Sequence, residues 1–138
     1  MFSESKIIVR YAETDQMGAV HHSNYAVWYE VGRTEFVKSK GMSYSEMEAL
    51  GMALPLIGLT SKFIMPAHYE DELIVRTRIG KMTPVRIIFE YEVYKGDKLI
   101  NTGSTEHVVT NSELKPMNLK KEKPEIYEFL YGMLERSE

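Results

Sequence analysis

Two neighbouring stretches of the chain alternate strictly between apolar and polar positions. In residues 72–82, Leu73, Val75, Thr77 and Ile79 fall on one side, and Ile74, Arg76 and Arg78 on the other. In residues 86–94, Ile87, Phe89, Tyr91 and Val93 oppose Ile88, Glu90, Glu92 and Tyr94. A period of two predicts strands with one face in the core. A third run, 98–110, is rich in β-branched residues and follows the turn signal Lys95-Gly96-Asp97. A fourth, 56–65, precedes the pair. The short connections favour antiparallel pairing. A fifth strand is expected over 6–11, where Ile7, Val9 and Tyr11 share a face.

Between the runs at 6–11 and 56–65 the period changes. Tyr25, Trp28, Tyr29, Gly32 and Phe36 recur at helical spacing, with Val27 and Val31 as a second apolar flank. A helix over 24–40 follows, about 26 Å long at 1.5 Å per residue. Ser23 or Asn24 can cap its start, Lys38 and Lys40 suit its C-terminal dipole, and Gly41 can stop it. A short helix is expected over 45–50. Another opens at Pro124, with Ile126, Phe129, Leu130, Met133 and Leu134 as its apolar stripe. The expected fold is α+β: one domain over 1–138, in which a mostly apolar helix faces a five-stranded antiparallel sheet. The other sheet face, with Arg76, Arg78, Glu90 and Glu92, should meet water or a second subunit.

Composition narrows the function without naming it. A net charge of −3 gives no basic field for nucleic acid. The absence of cysteine excludes disulfides, thiolate metal sites and cysteine nucleophiles, and is compatible with a cytoplasmic location. No apolar run reaches the ~18 residues of a membrane span. The opening MFSESKIIVRY does not read as a signal peptide.

The chemistry concentrates in residues 14–25, TDQMGAVHHSNY. A helix start offers unpaired N–H groups and a partial positive charge, which can polarise a carbonyl or hold an oxyanion. The N–H groups near His22, Ser23 and Asn24 lie at such a start. Asp15 stands seven residues before His22, with Gly18 between them to let the chain fold back. An aspartate there can act as nucleophile or as base for a water, which favours attack on an activated acyl group such as a thioester. The alternative is that Asp15 caps a turn and His22 is a surface residue.

The stretch RYAETDQMGAVHHSNYAVWYEVGRTEF resembles the 4-hydroxybenzoyl-CoA thioesterase family of hotdog-fold enzymes, in which a sheet wraps a long central helix. The resemblance implies an acyl-CoA thioesterase that needs no cofactor and no metal. It implies Asp15 as the catalytic carboxylate, Gly18 as the loop glycine, and His22 as the residue whose N–H meets the thioester oxygen and whose ring can assist. Tyr25 matches the closing aromatic, and Glu30 an acidic position that can line the acyl pocket. Gln16 and Met17 depart from the family pattern. The resemblance also implies a homo-oligomer, a dimer or a dimer of dimers, with the pocket at the seam. Rivals on the same fold are a hydroxyacyl-thioester dehydratase or hydratase and a non-catalytic acyl-CoA-binding module.

Coenzyme A carries phosphates, so cations are expected at the pocket mouth. Lys62, Lys81 and Arg86 are the candidates, at strand ends or beside the turn at 80–86. Glu30 and Arg33 are also spaced to pair on the helix. The adjacent His21 and His22 lack a third ligand at metal spacing, and His68 and His107 read as structural.

Overall fold

The two alternating stretches become adjacent strands in the sheet of the computed structural model, which describes residues 2–137. In chain order the elements are β1 (Ser3–Ile8), a 3-10 turn (Tyr11–Glu13), α1 (Ser23–Ser39), α2 (Tyr44–Ala49), β2 (Met52–Ala53) and β3 (Leu56–Phe63). There follow β4 (Glu72–Met82), β5 (Arg86–Lys95), β6 (Lys98–Val108), β7 (Thr110–Asn111), α3 (Leu119–Glu122) and α4 (Pro124–Ser137). The five-stranded sheet has the order β1-β4-β5-β6-β3, and every neighbouring pair is antiparallel. β2 and β7 form a separate two-residue pair.

Register puts the expected residues on one face. Val75 lies opposite Val93 and Ile79 opposite Phe89, all buried. On this face lies α1, whose Tyr25, Trp28, Tyr29, Gly32, Phe36 and Val37 are buried. Gly32 is the point of closest approach, because a Cβ there would collide with the Thr77 hydroxyl and press on Val75. One turn earlier, Tyr29 stacks on Tyr91 with ring centroids 4.4 Å apart. Its hydroxyl bonds Ser61 at 2.8 Å and donates to Asn101. α4 packs beside β4 through Ile126, Leu130 and Met133.

The outer face carries cross-strand ion pairs: Arg76 with Glu4 at 3.0 Å, Arg78 with Glu90 at 2.6 Å and Arg86 with Glu106 at 2.5 Å. Exposed pairs contribute about 0–1 kcal/mol each, whereas one fully buried large apolar side chain contributes about 1.5–3. The inner face therefore dominates the stability of the sheet.

Four expectations need correction. The first strand begins and ends three residues early, and Tyr11 is an exposed member of the 3-10 turn. The turn forms because the Glu13 carboxylate takes the Arg10 N–H at 2.8 Å and pulls the chain out of extension. Neither Ser23 nor Asn24 caps α1: Ser23 is already helical, and His22 holds the cap position with helical dihedrals and no side-chain cap bond. The second helix starts earlier than expected, because Ser43 accepts the Glu46 N–H at 3.2 Å in a capping box. The run expected over 98–110 breaks at Val109, and Thr110–Asn111 pairs with β2 instead.

His107 is buried on β6. Its Nδ1 lies 3.0 Å from the Leu54 carbonyl and its Nε2 2.9 Å from the Thr105 hydroxyl. A carbonyl only accepts, so Nδ1 carries the proton of the neutral ring. Burial pushes the ring's pKa below its ordinary 6.5, and the nearby Arg33 charge adds to the shift.

Two predictions follow from this packing. Gly32→Ala gains up to about 1 kcal/mol of helix propensity but overpacks the stiff, buried Thr77, which costs about 1–3. The expected result is a lower urea midpoint at unchanged m-value. His107 has a depressed folded pKa, so its contribution to stability is complete above pH 6.5 and is lost as pH falls below it. Thermal midpoints between pH 8 and 5 should fall less steeply for His107→Gln than for wild type.

Candidate active site

The segment from Val9 to His22 is held by backbone bonds on both sides. Val9 donates to the Asp71 carbonyl and Glu70 to that of Val9, both at 3.0 Å. Farther along, Val20 donates to the Ala67 carbonyl at 2.8 Å, and Ala19 bridges His68. Inside this frame the Asp15 amide bonds the Ala19 carbonyl at 2.8 Å, closing a tight turn. Gly18 makes the turn possible at φ +81°, where a Cβ is strained.

Asp15 is half-buried. Its Oδ1 accepts the Met17 N–H at 2.8 Å and the Ala19 N–H at 3.3 Å. The turn-capping alternative is thus correct for one carboxylate oxygen. Among the described residues, Oδ2 has no hydrogen-bond partner, so it is left for chemistry.

The start of α1 can be audited amide by amide. His21 donates to the Glu13 carbonyl at 2.9 Å, Asn24 to that of His21 at 3.1 Å and Tyr25 to that of His22 at 3.2 Å. The Ser23 amide donates to His21 Nδ1 at 3.2 Å. His21 therefore supplies the acceptor that the first turn needs. Among the described residues, the His22 N–H is the amide in this run with no acceptor.

Asp15, His22 and Tyr25 line one side of a cleft of about 360 Å³, and residues 63–66 line the other. Tyr25 packs edge-on against Phe63 at 5.2 Å and against Trp28 at 4.8 Å. Burial, with Tyr29 nearby, raises the pKa of the Tyr25 phenol and keeps it neutral. The cleft thus combines a carboxylate oxygen, a free amide at the positive end of a helix, and an apolar wall. Such a set can polarise a carbonyl, attack it or direct a water at it, and shelter the group attached to it.

Glu13 and the 63–66 wall carried no signal in the sequence pattern. Glu13 is 4% exposed, and its carboxylate accepts the Trp28 indole N–H at 3.0 Å. Burial pushes its pKa up, but the bonds from Arg10 and Trp28 outweigh that and hold it below the ordinary 4.5.

The other candidates lie outside the cleft. Gly18 shapes the loop without lining the cleft. Glu30 is exposed on α1, and no ion pair joins it to Arg33 among the described residues; Arg33 instead sits by the Tyr44 and Tyr91 hydroxyls. Lys62 lines a larger hollow, about 570 Å³, on the outer face, where Arg76 and Arg78 already face carboxylates. Lys81 and Arg86 stand at the far end of β4 and β5. Nine steps of β4 separate Glu72 from Lys81, roughly 30 Å at ~3.4 Å each. Among the described residues, no cluster of three or more His, Asp or Glu side chains could hold a metal ion.

A family model described as the thioesterase-like superfamily matches residues 9–132. The chain belongs to that superfamily. Within it, the chain is 38% identical over 125 residues to YneP of Bacillus subtilis, a candidate acyl-CoA thioesterase, covering 89% of this chain and 91% of the relative. The acyl-CoA thioester hydrolase YbgC of Escherichia coli O157:H7 is 27% identical over 92 residues, or 67% of this chain and 69% of that protein. The crystal structure of a DHNA-CoA thioesterase from Staphylococcus aureus superposes with a TM-score of 0.91 at 33% identity, covering 98% of this chain and 91% of the other. These neighbours have the hotdog-type thioesterase fold, and the sheet and helices described above are its α+β form.

The turn that carries Asp15 in this thioesterase-like chain gives a third prediction. Gly18→Ala places an L-residue in the left-handed region and should cost about 1–2 kcal/mol. Gly18→Asn should cost less, because asparagine tolerates that region. Calorimetric midpoints of the two variants check the order.

Proposed function

We propose that this chain is a cytoplasmic acyl-CoA thioesterase, and that the cleft at the start of α1 is its active site. The observation that carries this reading is that two residues lining one cleft each keep a polar group unpaired among the described residues: the His22 N–H and the Asp15 Oδ2. The relatives named for acyl-CoA and DHNA-CoA thioesters support the substrate class.

In this mechanism the thioester oxygen accepts the His22 N–H, and the α1 dipole favours the negative charge that grows there. Asp15 takes a proton from a water as its oxygen adds to the acyl carbon. As this adduct collapses, the carbon–sulfur bond breaks and the electron pair leaves on sulfur. Alternatively, Asp15 itself adds to the acyl carbon, the same carbon–sulfur bond breaks to leave a mixed anhydride, and water then cleaves that anhydride and frees Asp15. A thiol of pKa about 8.5 needs little acid to depart. In this reading the His22 ring steers the water.

A second copy completes the site in this reading. β3 is a sheet edge whose Leu56, Ile57, Leu59 and Phe63 are each 43–52% exposed. Apolar edges of this kind are normally covered. Antiparallel pairing of two β3 edges would carry the Leu56 end of one copy to the Phe63 end of the other. Lys81 and Arg86 of the second copy would then stand near the cleft, within reach of CoA phosphates. We also take the sheet to wrap α1 as its central helix in the assembled enzyme.

Thiol release from a panel of aliphatic and aromatic acyl-CoAs tests the reading. Asp15→Asn should lower kcat about 10²–10⁴-fold, the usual range for a general base. An Asp15→Asn enzyme as fast as wild type, or a wild type that hydrates enoyl-CoA and releases no thiol, would overturn it.

A further inference from the structure

We infer that Glu13, a residue outside the cleft, is the positioning residue that holds Asp15 and the His22 amide in register. The inference rests on the thioesterase reading for its kinetic consequences and on geometry alone for its structural ones.

Glu13 bonds in three directions. Its Oε1 accepts the Arg10 N–H at 2.8 Å, fixing the chain as it leaves β1. Its Oε2 accepts the Trp28 indole N–H at 3.0 Å, reaching the second turn of α1, with the Arg10 guanidinium at 3.4 Å. Its carbonyl accepts the His21 N–H and the Asn24 side-chain amide, each at 2.9 Å. Asp15 lies two residues after Glu13, and His22 follows His21 directly. One residue therefore joins the loop entrance, the loop exit and the helix. Trp28 in turn packs on Tyr25, the cleft's inner wall.

The Glu13 carboxylate touches neither the cleft nor, on this mechanism, the substrate. Its effect passes through the spacing between a loop carboxylate and a helix-start amide. Misplacement of reacting groups by about 1 Å can cost about a hundredfold in rate. A carboxylate suits the position because both neighbours are donors. Glutamine must turn its NH₂ toward one of them and set donor against donor.

The test compares Glu13→Gln, Trp28→Phe and the double variant with wild type. Glu13→Gln should lower kcat about ten- to a hundredfold with KM within about twofold. Amide hydrogen exchange over residues 15–20 should quicken at least about tenfold more than over β4 and β5, a local effect beyond any fall in the thermal midpoint. Because the two side chains act through one bond, the double variant should lose no more kcat than Glu13→Gln alone. Losses that multiply in the double variant, or a Glu13→Gln enzyme with kcat within about twofold of wild type, overturn the inference. Unchanged exchange over residues 15–20 also overturns it. If wild type releases no thiol from any acyl-CoA, the thioesterase reading fails, and the exchange measurement alone still decides the role of Glu13.

Discussion

The seating of α1 on the sheet is the constraint on which the rest depends. The helix approaches β4 closely enough at Gly32 that no side chain fits between them. Tyr29 locks against Tyr91, Ser61 and Asn101 one turn earlier. These contacts allow neither rotation nor sliding without loss of close packing. The N-terminal end of α1 is thereby fixed beside the end of β3, so that a helix start faces Phe63 and its successors. The cleft is a consequence of where the helix starts.

A fixed helix start is not sufficient for chemistry, since its N–H groups can all be consumed by caps. Here the loop before α1 consumes all but one. His21 uses its amide on Glu13 and offers its ring nitrogen to Ser23, while Asn24 turns its side chain back to the loop. The His22 amide is left without an acceptor among the described residues, and His22 lines the cleft. Asp15 shows the same economy: one oxygen caps the turn that holds it, and the other stays free. Unpaired polar groups in a partly buried place destabilise a fold, so two of them on residues that line one cleft are what the proposed site rests on.

Most of the fold was legible from period alone, because burial on one face imposes alternation on strands and 3.6-residue spacing on helices. β4 matched its expected bounds, β5 came within one residue, and all five stripe positions of α1 are buried, with Val37 added, while Val27 of the expected second flank is exposed. The failures lie where side chains bond the backbone. Nothing in a hydropathy pattern says that Glu13 will bend the chain at Arg10, that Ser43 and Glu46 will start α2, or that His21 will take the work assigned to Ser23. The Asp15–Gly18–His22 spacing did come out as a turn leading into a helix start, since glycine and helix period both leave a mark. The opposite wall, residues 63–66, did not. It is brought there by sheet order, which places the end of β3 beside α1.

Sheet order also explains why sequence position misleads about Lys81 and Arg86. They lie beside a turn, as a phosphate-binding pair would, yet they are at the wrong end of this subunit. In a molecule of one chain they would have no part in the cleft. The apolar edge of β3 changes that account. An edge strand that is about half exposed along its length exposes both apolar side chains and unpaired backbone groups. A second copy paired antiparallel satisfies both at once, and the same operation reverses the ends of the sheet. On the proposed pairing, the unpaired edge and the distant cations have a common resolution: one two-fold operation would cover the first and bring the second toward the cleft.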